Sequence, residues 1–108
     1  MISKLALGTV QFGLDYGITN YNGQVATNEV KNILSFAKSN GVDTLDTASG
    51  YGNSEQVLGE VGISDYQVIT KTESLALGVN SVIQSFKQSL DNLKVDSVDG
   101  LLIRAKDV

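Results

Sequence analysis

Four short apolar runs alternate along this 108-residue chain with three longer segments whose apolar residues recur at helical spacing. Leu5-Ala6-Leu7 stops at Gly8. Thr44-Leu45-Asp46, residues 67–71 and residues 98–103 follow, each bounded by polar residues or glycine as strands are. Between them Val30, Ile33, Leu34 and Ala37 form one helical stripe, Val57, Leu58 and Val61 a second, and Val82, Ile83, Phe86, Leu90 and Leu93 a third. Thr27 or Asn28 can cap the first helix, with Glu29 in its first turn and Asn40-Gly41 at its end; residues 54–61 give the second, and Asn80 or Ser81 caps the third. Strands alternating with helices in this way predict an α/β domain over residues 1–108, built on a parallel sheet with right-handed crossovers.

In such a fold ligands collect at the carboxyl ends of the strands. Those ends carry Gly8-Thr9, Asp46, Lys71 and Arg104, and three of the four places are charged. Residues 41–59, GVDTLDTASGYGNSEQVLG, stand out: a strand is expected to end on a buried acid, Asp46, and Tyr51 follows five residues later in a turn built from Ser49, Gly50, Gly52 and Asn53. Neighbouring parallel strands lie about 4.8 Å apart, so Asp46 and Lys71 are expected to pair. An ammonium held by a carboxylate beside a tyrosine favours release of the phenolic proton, which makes Tyr51 a candidate general acid toward a carbonyl oxygen. Plainer uses compete: Asp46 as a turn cap, Tyr51 as a packed turn aromatic, Lys71 as a solvated strand end, Arg104 as a rim cation. The long connection from Thr9 to Ala26 turns at Gly13, Gly17 and Gly23, and Gly8, Gly13 and Gly17 serve either as turn formers or for close backbone approach to a ligand.

Composition removes several chemistries. With no cysteine and no histidine, thiol catalysis, Cys/His metal sites and Ser-His-Asp catalysis are out of reach. Twelve acids against eight scattered bases argue against a nucleic-acid partner. No apolar run is long enough for a membrane span and no signal-peptide pattern opens the sequence, so a soluble, cytoplasmic protein is expected. The glycines follow neither the dinucleotide-binding fingerprint nor the phosphate-binding loop.

With these residues in view the chain resembles the aldo-keto reductase family along nearly its whole length. LGTVQFGLDYGITN is similar to that family's first strand and loop. GVDTLDTASGYGNSEQVLG is similar to its signature, VITKT to its lysine strand, and SFKQSLDNLKVDSVDGLLI to its third helix and fourth strand. The resemblance implies a (β/α)8 TIM barrel of which only about the first four β/α units are present, a half barrel. It implies hydride transfer from NADPH, or less commonly NADH, to a small aldehyde or ketone. Tyr51 would be the proton donor, Asp46 and Lys71 its partners, and Gly8, Thr9, Val10 and Asp46 part of the wall beside the cofactor. Where the family carries a histidine after the fourth strand's Leu-Leu-Ile, this chain carries Arg104. A full barrel needs about 250 residues, so the chain is expected to be truncated, weakly active or inactive alone, and inclined to self-associate or to pair with a C-terminal half through its open edges. The alternatives are a non-catalytic half barrel or pseudoenzyme that self-associates, and an isomerase acting on a phosphorylated substrate, for which only Asp46 is placed as a base.

Overall fold

A computed structural model describes residues 5–14 and 24–104. The elements run β1 (Leu7–Gly8), α1 (Val10–Gly13), α2 (Thr27–Ser39), β2 (Thr44–Asp46), α3 (Ser54–Val61), β3 (Gln67–Ser74), a 3₁₀ turn (Leu75–Leu77), α4 (Val79–Leu93) and β4 (Gly100–Arg104). The four strands form one parallel sheet in the order β1-β2-β3-β4. Each strand therefore lies beside its neighbour in sequence, with a helix returning the chain between them, as in one half of a barrel.

Period-two alternation sorts the side chains into two layers. Leu7, Leu45 and Val68 are in register on one face and meet the helices. There Val30 and Leu34 of α2, Val57 and Leu58 of α3, and Leu93 of α4 complete a core in which Leu45, Leu58 and Val30 are wholly buried. The register row Gly8, Asp46, Ile69 and Gly100 belongs to the other face. Asp46 is exposed there. That corrects the picture of a strand ending on a buried acid: alternation turns the residue after Leu45 away from the helix layer.

Two elements match their expected bounds, β2 and α3. Four differ. First, α1 occupies part of what reads as an irregular connection; a four-residue helix is too short to show a period. Second, β3 continues past Lys71 to Ser74, because β4 keeps pairing with it to Ser74–Arg104 across a one-residue bulge. Third, α4 begins at Val79 behind Gly78 rather than at an Asn80 or Ser81 cap, and Ser74 caps the preceding 3₁₀ turn by accepting the Ala76 N–H at 3.1 Å. Fourth, β4 begins at Gly100. Asp99 exchanges two bonds with Val68 just before it, one through its carboxylate and one through its own N–H, each 2.8 Å. Neither Thr27 nor Asn28 caps α2, whose N-cap is Ala26. Ile83, expected to face inward, is 45% exposed, while Ser89 is buried in its helix. Gly17 and Gly23 lie outside the described residues. No helix among them is long and apolar enough to cross a membrane.

Candidate active site

The carboxyl ends of β2, β3 and β4 open onto a cleft of about 460 Å³ lined by Val10, Leu14, Ala48, Ser49, Gly50, Tyr51, Lys71, Thr72, Glu73 and Arg104. Val10, Leu14 and Ala48 give it an apolar wall. Tyr51 and Lys71 are half-buried, which leaves both reachable from the cleft, and Arg104 is exposed at its rim. Of the residues singled out from the sequence, the structure thus gathers Val10, Tyr51, Lys71 and Arg104 around one space. Asp46 and Gly8 stand lower on the same face of the sheet.

The expected Asp46–Lys71 ion pair does not form. Asp46 is in register with Ile69, so Lys71 lies two residues further along β3, and the salt bridge among the described residues is Lys38–Asp65, before β3 begins. Thr9 also departs from its expected place in a cofactor wall. Its side chain is fully buried and its hydroxyl donates to the Asp46 carbonyl at 3.0 Å.

Backbone bonds hold the loop after β2 against the next strand. Thr47 N–H donates to the Ile69 carbonyl at 2.8 Å and Ser49 N–H to the Lys71 carbonyl at 2.9 Å, extending the parallel pairing into the turn that carries Tyr51. From the other side α1 closes on the same turn. A Cβ placed on Gly13 would lie 1.8 Å from the Tyr51 carbonyl oxygen and 2.4 Å from the Ser54 nitrogen; one on Gly52 would lie 2.2 Å from the Gly13 carbonyl oxygen. Gly52 also has φ +58°, so both positions need glycine, and for a reason the sequence left open: the close approach is to the chain's own backbone. The Gln24 amide joins the two segments, donating at 2.9 Å to both the Phe12 carbonyl and Asn53 Oδ1.

Behind the cleft lie groups that sequence reasoning did not single out. Glu55 is only 3% exposed, and its two carboxylate oxygens accept hydroxyls from Thr70 at 2.7 Å and Ser89 at 2.9 Å. One carboxylate therefore ties α3 to β3 and α4, next to Lys71 in the chain. Glu73, at the cleft, accepts the Ser49 hydroxyl at 3.2 Å while its own N–H donates to Ser85 Oγ. The signal for Glu55 was its place one residue past the Ser that opens α3, on the face shared with Leu58 and Gly59.

A parallel sheet whose strands each lie beside their neighbour in sequence, with a helix between them and a cleft at the strand ends, defines a barrel-type α/β scaffold. The aldo/keto reductase family model matches residues 4–107, and the chain belongs to that family. Among solved structures it is similar to PA4992 of Pseudomonas aeruginosa, described as an aldo-keto reductase, with 28% identity, a TM-score of 0.79 and coverage of 94% of this chain and 42% of the other. The thermostable aldo-keto reductase Tm1743, solved with the inhibitor epalrestat, gives 28% identity, a TM-score of 0.71 and coverage of 94% and 38%. The Bombyx mori aldo-keto reductase, solved with NADP, gives 25% identity, a TM-score of 0.68 and coverage of 92% and 33%. The chain thus spans well under half the length of these relatives, and its four strands correspond to half of their barrel. No curated protein sequence matches it.

Proposed function

We propose that this chain carries the proton-donor half of an NAD(P)H-dependent carbonyl reductase. The observation that carries the reading is the convergence of Tyr51 and Lys71 on one cleft with an apolar wall at Val10, Leu14 and Ala48. That cleft has room for a small aldehyde or ketone beside a nicotinamide ring, and the Gly8–Val10 segment, with open space at Gly8, leaves a flat approach for the ring. The cofactor, NADPH in preference to NADH, supplies the hydride when bound. Tyr51 Oη gives its proton to the carbonyl oxygen. Lys71 stabilises the tyrosinate left behind, and Arg104 donates to the developing oxyanion at the place where the family carries histidine. Asp46, lower on the sheet, bears on Lys71 through its charge rather than by contact.

The 108-residue chain by itself is proposed to bind cofactor weakly and to turn over little or not at all, pairing with a complementary C-terminal half in a cytoplasmic setting. Titrating NADPH fluorescence with the purified chain tests this: micromolar binding with steady carbonyl reduction would sink the weak-fragment part, and activity that survives Tyr51→Phe would sink the proton-donor part.

A second reading is favoured by β4, where Leu101, Leu102 and Ile103 are 38%, 51% and 54% exposed. A non-catalytic half barrel that self-associates through this strand calls for a defined dimer by light scattering, indifferent to Tyr51→Phe. A monomer at high concentration would dismiss it.

A further inference from the structure

Thr9, Thr47 and Ser54 are each 0% exposed and come from three places, the residue after β1, the residue after β2 and the first residue of α3. Their hydroxyls touch. Ser54 Oγ lies 3.0 Å from both the carbonyl and the hydroxyl of Thr9 and 3.1 Å from the Thr47 hydroxyl. Since the Ser54 proton goes to Thr9, Thr47 must be the donor to Ser54, and Thr9 donates onward to the Asp46 carbonyl at 3.0 Å. The three protons therefore run in one direction, Thr47 to Ser54 to Thr9 to Asp46. Ser54 also donates its N–H to the Tyr51 carbonyl at 3.1 Å, so the same residue holds the Tyr51 turn.

Stability alone is a weak reason for three hydroxyls here. A buried hydrogen bond contributes only about 1 kcal/mol net, and apolar residues of the same shape would fill the space at similar free energy. Hydrogen bonds are directional where apolar contacts are not, so what this cluster adds is a fixed distance between the ends of β1 and β2 and the Tyr51 turn. Gly13 of α1 packs on the turn at Tyr51, Gly52 and Ser54 with no room for a methyl group. Taking Tyr51 as the proton donor, we infer that Thr9, Thr47 and Ser54 are positioning residues that set the Tyr51 ring against Asp46 and Lys71. They touch neither substrate nor cofactor. Thr9 thereby moves from the cofactor wall to the support behind it.

The test uses the 108-residue chain with ¹³C-labelled tyrosine, the Tyr51 ring signal being assigned by its loss in Tyr51→Phe. Thr9→Val keeps the shape and removes the hydroxyl; Thr9→Ser keeps the hydroxyl. In Thr9→Val and in Ser54→Ala the Tyr51 signal should shift and broaden while that of Tyr66, at the far end of β3, stays in place, and Thr9→Ser should restore it. Where carbonyl reduction is measurable, kcat should fall about ten- to a hundredfold with KM nearly unchanged. An unchanged Tyr51 signal in either folded hydroxyl-deleted variant overturns the inference, as does an equal disturbance of Tyr66, which would mean general loosening. Should Thr9→Val fail to fold, Ser54→Ala decides by the same readout. Retained activity in Tyr51→Phe would instead remove the proton-donor reading, and the tyrosine spectra would still report on the positioning.

Discussion

Gly13→Ala sets two rules against each other. Gly13 is the last residue of α1, and by helix propensity alone alanine there should be better than glycine by about 1 kcal/mol. The contacts give the opposite sign. The new methyl would sit 1.8 Å from the Tyr51 oxygen and 2.4 Å from the Ser54 nitrogen, whereas ordinary contact begins at 3.4 Å. Both neighbours are backbone, so no side chain can swing aside, and α1 and the Tyr51 turn must separate by roughly 1.5 Å, a degree of overpacking that costs about 2–3 kcal/mol. That is a large part of the 5–15 kcal/mol typical of a whole domain, and at about 4–8 °C per kcal/mol it should lower Tm by about 10–20 °C. Gly50→Ala is the matched control. It lies in the same loop with nothing within 4 Å of its added methyl and no positive φ, so its Tm should change little. Thermal unfolding followed by circular dichroism reads both. A Gly13→Ala protein as stable as Gly50→Ala would refute the backbone contact, and with it the claim that α1 holds the Tyr51 turn.

Glu55→Leu should cost about 2–5 kcal/mol in urea unfolding, because the buried hydroxyls of Thr70 and Ser89 lose their shared acceptor; Glu55→Gln, which keeps an acceptor and the shape, should cost clearly less. Gly59→Ala, in mid-α3, puts a methyl 2.1 Å from the Asn92 carbonyl oxygen and 3.1 Å from the Leu93 carbon, so it should destabilise by about 1–3 kcal/mol, and a rise in Tm would contradict the α3–α4 packing. The Tyr66 phenol is held above its usual value by burial, with Asp65 and Asp43 adding to the effect, and it donates to the Leu34 carbonyl at 3.1 Å. Its contribution, about 0.5–1.5 kcal/mol, is fully present below the unfolded value of 10.0 and is lost as pH rises through the higher folded value. Tyr66→Phe should therefore be less stable than the parent at neutral pH, with the gap closing above about pH 10.

How far the fold could be read from residues depended on whether one rule governed each segment. Thr44-Leu45-Asp46 and the helix beginning at Ser54 are bounded by polar and glycine residues on both sides, and both were legible to the residue. The connection after Thr9 was not, since a four-residue helix such as α1 shows no period and is held by contacts with the distant Tyr51 turn. The face of Asp46 was misjudged because its burial depends on which side the helices cover. The direct Asp46–Lys71 pair failed for a similar reason: both residues lie on the strands as expected, but the register between strands, which sets their separation, is a property of the sheet.

β3 carries the same lesson further. In QVITKTES the charged Lys71 read as the end of the strand, yet burial alternates through it: Val68 and Thr70 lie beneath the helices, while Ile69 and Lys71 take the other face until the bulge that follows. A threonine at a core position reads as polar until its partner is known, and the partner of Thr70 is Glu55, fifteen residues earlier in the chain and itself an unpromising core residue. Each makes the other's burial tolerable, and Ser89 takes the remaining carboxylate oxygen. The same holds for Thr9, Thr47 and Ser54, whose hydroxyls are costly alone and satisfied together. Thr47, Ser54 and Glu55 of the 41–59 stretch are thus spent on buried internal pairings. Tyr51 is legible in sequence because a phenol between glycines is a candidate by residue type alone, whereas the small polar residues behind it take their meaning only from the folded pairings.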